Sequence, residues 1–152
     1  MKHSSGAGLI IGSGAVGFIA DRVLKYLALN GTVFGPVNGG VRFELFRNPS
    51  IAFSISFPKA LSLAVIPVVC LVFFYFAVQL FRARDYARSS LLIVAVMGAG
   101  SNYLDRVQHG YVVDYVSLGN WFPVFNLADA MIIVPLILLV LPLRRRRREK
   151  TF

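Results

Sequence analysis

Apolar residues run along this chain in four long blocks, separated by stretches richer in charge, glycine and proline. The blocks cover about residues 8–29, 60–80, 89–104 and 124–143. A helix needs about 20 apolar residues to cross a hydrocarbon core, so each block predicts a membrane-spanning helix. The second block holds no charged residue. The first carries Asp21, Arg22 and Lys25 in its later part, the third runs into Asp105-Arg106, and the fourth opens with Asn126 and Asp129. Segment 30–58 reads differently. Gly31, Gly35, Pro36, Gly39, Gly40 and Pro49 break helices, while Val41-Arg42-Phe43-Glu44-Leu45 alternates with the period of a strand covered on one face. Residues 111–116 are β-branched and aromatic and suit an added strand. The expected fold is an α-helical membrane protein. It has four transmembrane helices and a small extracytoplasmic β-sheet between spans one and two, in a single domain over 1–152.

Composition agrees with this pattern. Hydrophobic residues make up 57% of the chain and the mean hydropathy is +0.68, above the roughly 45–50% apolar usage of soluble domains. The net charge is +9, but its placement argues against a nucleic-acid partner. Ten of the sixteen Lys/Arg fall at Lys2, at Arg82, Arg84 and Arg88, and at Arg144–Arg148 with Lys150, all flanking apolar blocks. Four crossings put these groups on one side, which the positive-inside rule makes cytoplasmic. Both termini then lie in the cytoplasm, and connections 30–58 and 105–123 face outward. The arginine run reads as an anchor to anionic headgroups. Lys2 and the small-residue run after it resemble a cleavable signal, but the apolar face continues past Lys25, which favours a retained first span. Cys70 is the single cysteine and lies within an apolar run, as a small buried or lipid-facing thiol. His3 and His109 belong to no cluster with metal-ligand spacing, so neither a metal nor a cofactor is expected.

Two carboxylates carry the chemistry. Asp114 lies just before the last apolar block and Asp129 just inside it. A carboxylate at bilayer depth is expensive and rarely lacks a role. Two of them close together share a proton, because both cannot ionise cheaply. Asn102 and Arg106 are four apart and share a helix face, as do Asn126 and Asp129 three apart. Asp21 and Lys25 are also four apart, and as opposite charges they read as a neutralising intramembrane pair. Two further readings stand beside acid/base catalysis. One is a proton-coupled transporter or channel subunit using the same carboxylates. The other is an inactive relative that binds without cutting.

Three motifs then occur in order: Asn102-Tyr103-Leu104-Asp105-Arg106, Gly110-Tyr111-Val112-Val113-Asp114-Tyr115, and Phe122-Pro123-Val124-Phe125-Asn126-Leu127-Ala128-Asp129. In pattern and spacing they resemble the lipoprotein signal peptidase (signal peptidase II) family, with N-x-x-D-R, G-x-V-V-D-[FY] and F-P-x-F-N-x-A-D. Asp21-x-x-x-Lys25 and the stretch from Asn48 to Phe53 resemble two further family motifs. The resemblance implies a bacterial inner-membrane aspartyl peptidase. Its active site faces outward, and it removes the signal peptide of prolipoproteins just before a diacylglyceryl-modified cysteine. It implies a dyad of Asp114 and Asp129, support and substrate contacts from Asn102, Arg106 and Asn126, and more structural roles for Asp21, Lys25 and Asn48. Diacylated prolipoprotein and membrane lipid are the implied partners. Phe53, Trp121 and Phe125 are candidate apolar contacts for the substrate. Asp105 is the rival for a dyad place, read more simply as tied to backbone or to an arginine. The chain departs from the family pattern at Arg22 and Leu24 (often Gln and Thr), Ser50 and Ser101 (usually Gly) and Ala130 (commonly Ser). Arg22 is placed to alter substrate contacts.

Overall fold

A computed structural model describes residues 2–32, 34–37, 41–49, 59–119 and 122–141. Four helices form: α1 (Lys2–Leu29), α2 (Lys59–Arg82), α3 (Tyr86–Gln108) and α4 (Leu127–Val140). Three strands, β1 (Phe34–Val37), β2 (Val41–Asn48) and β3 (Val112–Ser117), make one antiparallel sheet in that order. The helices fall on the four apolar blocks. The sheet is not confined to the connection between α1 and α2, because its third strand comes from the connection between α3 and α4. Ser50, Phe53, Trp121 and the arginine run lie outside the described residues.

The helices are built inside out. Asp21, Lys25, Ser101, Asn102, Asp105 and Arg106 are buried, while Leu71, Phe74, Tyr75, Phe76, Ile133, Val134, Ile137 and Val140 are exposed. In water such an apolar surface marks an interaction site; in lipid it faces the solvent. Among the described residues, only the helix over Ala60–Arg82 is long and apolar enough to cross a membrane by length and composition alone, with mean hydropathy 2.7. The expectation of four such spans is narrowed to that extent. In α1 the charges that lower the average point inward, against α3. In α4 the regular helix is only 14 residues long. Prolines at 67 in α2 and 135 in α4 remove a helix hydrogen bond each, which membrane helices tolerate where neighbours re-satisfy the backbone.

The sheet rests on the end of α1. Phe43 and Leu45 pack against Ala28, Val113 and Tyr115, as the alternation of β2 requires. The Phe43 and Tyr115 rings lie 5.2 Å apart. Pairing Phe46 with Asp114 and Asn48 with Val112 puts Asn48 and Asp114 on one face as diagonal neighbours, within side-chain reach. Gly110, at φ +84°, ends α3 in the left-handed geometry that glycine accepts and turns the chain into β3. An isolated bridge between Val116 and Phe125 then fixes where α4 begins.

α3 and α4 approach closely at Gly98. A Cβ there would lie 2.6 Å from the Ala128 carbonyl oxygen and 2.9 Å from Met131 Cβ. One helical turn beyond Gly98 is Asn102, and one residue beyond Ala128 is Asp129. The contact that only glycine permits therefore sets how near those two side chains come.

Candidate active site

Asp129 owes its position to the start of α4. Asn126 is the N-cap and Asp129 the third helical residue, and the two form a reciprocal capping box. Asp129 N–H donates to Asn126 Oδ1 at 2.9 Å, and Asn126 N–H donates to Asp129 Oδ2 at 3.1 Å. The spacing that the sequence shows as one helix face is thus also a cap. Asn102 Nδ2 donates to the second oxygen, Oδ1, at 2.7 Å. The positive end of the α4 dipole lies at the same place.

Asp114 sits on β3 and is buried, with 1% of its surface exposed. Asn126 Nδ2 donates to its Oδ1 at 2.6 Å, and Asn48 Nδ2 donates to its Oδ2 at 2.8 Å. One side chain, Asn126, therefore joins the two aspartates: its carbonyl caps Asp129 and its amide holds Asp114. Burial pushes the Asp114 carboxyl up to about 6; the Asn48 amide resists that rise and the charge of Asp129 adds to it.

Arg106 lies one turn beyond Asn102 and donates to its carbonyl at 3.3 Å. Its guanidinium is buried and interacts electrostatically with Asp129, Asp114 and Asp105. Lys25 is fully buried and its Nζ reaches Asn102 Oδ1 at 2.7 Å, Asp21 at 2.9 Å and Asp105 at 2.8 Å. The pair Asp21/Lys25 forms as expected and is one part of a larger set. Asp105 accepts from Lys25, from Arg22 and from Val113 N–H at 3.1 Å. It is tied to backbone and arginine, and the arginine is Arg22 of α1.

All eight singled-out residues, Asp21, Lys25, Asn48, Asn102, Arg106, Asp114, Asn126 and Asp129, thus converge where α1, α3, α4 and the sheet meet. A cavity of about 320 Å³ opens beside them, lined by Asn48, Asn102, Arg106 and Asp129 on its polar side. Val65, Ile66, Val69 and Cys70 of α2, with Ile132, make the apolar wall. Asp114 does not line it, but Asn48, which donates to Asp114, does.

Three side chains take roles that the sequence reading did not assign them. Tyr115 Oη donates to Asp21 Oδ1 at 2.9 Å and accepts from Leu127 N–H at 3.0 Å. Ser101 Oγ donates to Asp21 Oδ2 at 2.6 Å. Arg22 turns inward to Asp105 and the Ser101 carbonyl, which corrects its placement as a substrate contact. For Ser101 a signal existed, since it is four residues before Asp105 on one helix face; Tyr115 offered none. The apolar wall on α2 was also illegible, because a uniformly apolar helix does not show which side meets a cavity.

Residues 10–144 match the family described as signal peptidase (SPase) II. The chain belongs to the signal peptidase II family. It is 38% identical over 135 residues to the lipoprotein signal peptidase of Brucella ovis, covering 81% of each chain. It is 34% identical over 110 residues to that of Anaeromyxobacter sp. (strain Fw109-5), covering 68% of this chain and 50% of the relative. The chain thus spans about half the length of the Anaeromyxobacter protein. Its fold is shared with two bacterial membrane enzyme structures solved in meso, both at 24% identity. One has a TM-score of 0.71, with 90% of this chain and 85% of that one covered. The other has a TM-score of 0.69, with 93% and 94% covered.

Proposed function

We propose that this chain is a membrane aspartyl endopeptidase that removes the signal peptide from diacylglyceryl-modified prolipoproteins, cutting before the lipidated cysteine. The observation that carries the reading is the joining of Asp114 and Asp129 through Asn126 beside a mostly apolar cavity with polar side chains on one side. Family membership supports signal-peptide removal, and the geometry supports an aspartic mechanism with Asp114 and Asp129 as its dyad.

Their surroundings divide the labour. Asp129 borders the cavity and accepts from two donors at a helix N-terminus. It serves as the base: it takes a proton from a water, which attacks the scissile carbonyl carbon. Asp114 is the dry carboxyl and holds the shared proton, which it gives to the carbonyl oxygen. Asn48 covers Asp114 in the resting site, and the substrate carbonyl takes that place. Collapse of the tetrahedral intermediate breaks the C–N bond, with a proton passing to the leaving amine. Arg106 and Asn102 donate to substrate oxygens. Asp21 and Lys25 hold the frame.

The exposed apolar helices and the inward charges support four helices in the membrane, in one domain over 1–152. The flanking cations support cytoplasmic termini. The sheet and the site then face the outer side of a bacterial inner membrane. Acyl chains remain in lipid while the peptide bond enters the cavity. The transporter reading gains no support. Among the described residues the buried charges gather at the sheet end of the helices, and Ser62 is the one polar side chain of α2 classed as buried.

The test is to incubate the purified chain in detergent with a diacylated prolipoprotein and its unlipidated counterpart. Mass spectrometry should find the lipidated cysteine at the new N-terminus and little product from the unlipidated protein. An intact lipidated precursor would refute the reading.

A further inference from the structure

Arg22 of α1 and Ser101 of α3 meet each other. Arg22 Nη1 pairs with Asp105 Oδ1 and also donates to the Ser101 carbonyl at 3.3 Å, while Nη2 reaches Gln108 Oε1 at 3.4 Å. Ser101 returns the contact through its hydroxyl, donating to Asp21, the residue just before Arg22. We propose that Arg22 and Ser101 form a clip that sets the charge around the dyad, with Arg22 as a positioning residue that tunes the proton held by Asp114. The proposal rests on the aspartyl-peptidase reading.

Charge balance supports it. The cluster holds two carboxylates, Asp21 and Asp105, and two cations, Lys25 and Arg22. Without Arg22, Lys25 alone would face both carboxylates, and a net negative charge would remain beside the dyad. With Arg22 on Asp105, the Lys25 ammonium stays available to Asn102 and, through its field, to Asp114. Asp105 also accepts from Val113 N–H, one residue before Asp114, which ties the cluster to the strand that carries Asp114. Interactions at such dry sites are weakly screened.

Other ionisable groups facing this cluster are Arg106 from α3, Asp114 and Tyr115 from β3, and Asp129 from α4. From β2, Arg42, Glu44 and Arg47 form no hydrogen bond or ion pair with these groups among the described residues. The Arg22 side chain is 26% exposed, so its replacement need not open the core.

The experiment is the pH dependence of kcat/KM for the full chain on a diacylated prolipoprotein, with Arg22→Gln, Arg22→Lys and Ser101→Gly compared by thermal midpoint. Loss of the positive charge makes Asp114 hold its proton more tightly. Arg22→Gln should therefore move the alkaline limb upward by about half a pH unit or more. Arg22→Lys keeps the charge and should leave the limb in place. Ser101→Gly should lower the thermal midpoint with a smaller limb shift. An unmoved limb in Arg22→Gln, or an equal shift in Arg22→Lys, would overturn the proposal. If Arg22→Gln does not fold, Arg22→Lys decides: a fixed limb supports the charge role and a displaced limb contradicts it. No cleavage by the unaltered chain would instead refute the peptidase reading itself.

Discussion

The cluster between α1 and α3 and the pair between β3 and α4 use the same residue types for opposite ends. Around Lys25, two carboxylates meet two cations and every bond closes on another protein group. Around Asn126, two carboxylates meet amides and one of them borders a cavity. A closed set of charges holds helices together; on the proposed reading the open set keeps a proton and a place for substrate. The difference lies not in burial, since Asp105 and Asp114 are both nearly inaccessible. It lies in the partners: Lys25 and Arg22 pair with Asp105, while the amides of Asn48 and Asn126 donate to Asp114.

The comparison breaks first at Lys25. Lys25→Met leaves Asp21 and Asp105 without their shared cation, and unpairing a buried charge costs about 3–5 kcal/mol. Accumulation of folded protein and its thermal midpoint should fall together with activity. A folded, stable Lys25→Met protein would show that the closed set is not structural.

The two regions touch through the α3–α4 approach. Gly98→Ala puts a methyl 2.6 Å from the Ala128 carbonyl oxygen and should destabilise by about 1–3 kcal/mol. It should also part Asn102 from Asp129, so kcat should drop by more than stability alone explains. Denaturation and turnover measured on the same preparation separate the two effects.

The open pair should respond to pH. Asp114, raised to about 6 by burial, is protonated below that value and charged above it. An acid that must carry its proton is lost as pH rises, so kcat/KM should fall about tenfold per unit above roughly pH 6. The limb in kcat should lie higher, since bound substrate dries the site further. A kcat/KM that keeps rising through pH 8 would contradict the assignment of the proton to Asp114.

The smallest effect is expected at Tyr115, whose hydroxyl bridges Asp21 and Leu127 N–H. Tyr115→Phe removes two hydrogen bonds and should cost about 1–3 kcal/mol in stability. The pH limb should stay put, because the hydroxyl serves the frame rather than the dyad.

Much of this was legible in the sequence, for physical reasons. Apolar runs place α1 to α4, although among the described residues only the run of α2 is long and apolar enough to cross a membrane, and alternation in 41–45 places β2. Spacings of three and four residues pair Asn126 with Asp129 and Asp21 with Lys25. What was hidden depends on partners far along the chain. Residues 111–116 read as an added strand, but the register of β3 on β2, which sets Asn48 against Asp114, is fixed across the fold and not by sequence neighbours. The inward turn of Arg22 needs Asp105, 83 residues away. The screen that Asn48 places over Asp114 spans 66 residues. No local pattern encodes such contacts.

The most direct test of the central claim is single-turnover cleavage of a diacylated prolipoprotein by Asp114→Asn and Asp129→Asn, with unfolding measured on the same samples. Both variants should keep their thermal midpoints and lose at least about a hundredfold in rate, as removal of a positioned acid or base does. Cleavage at the unaltered rate by either folded variant would contradict the dyad.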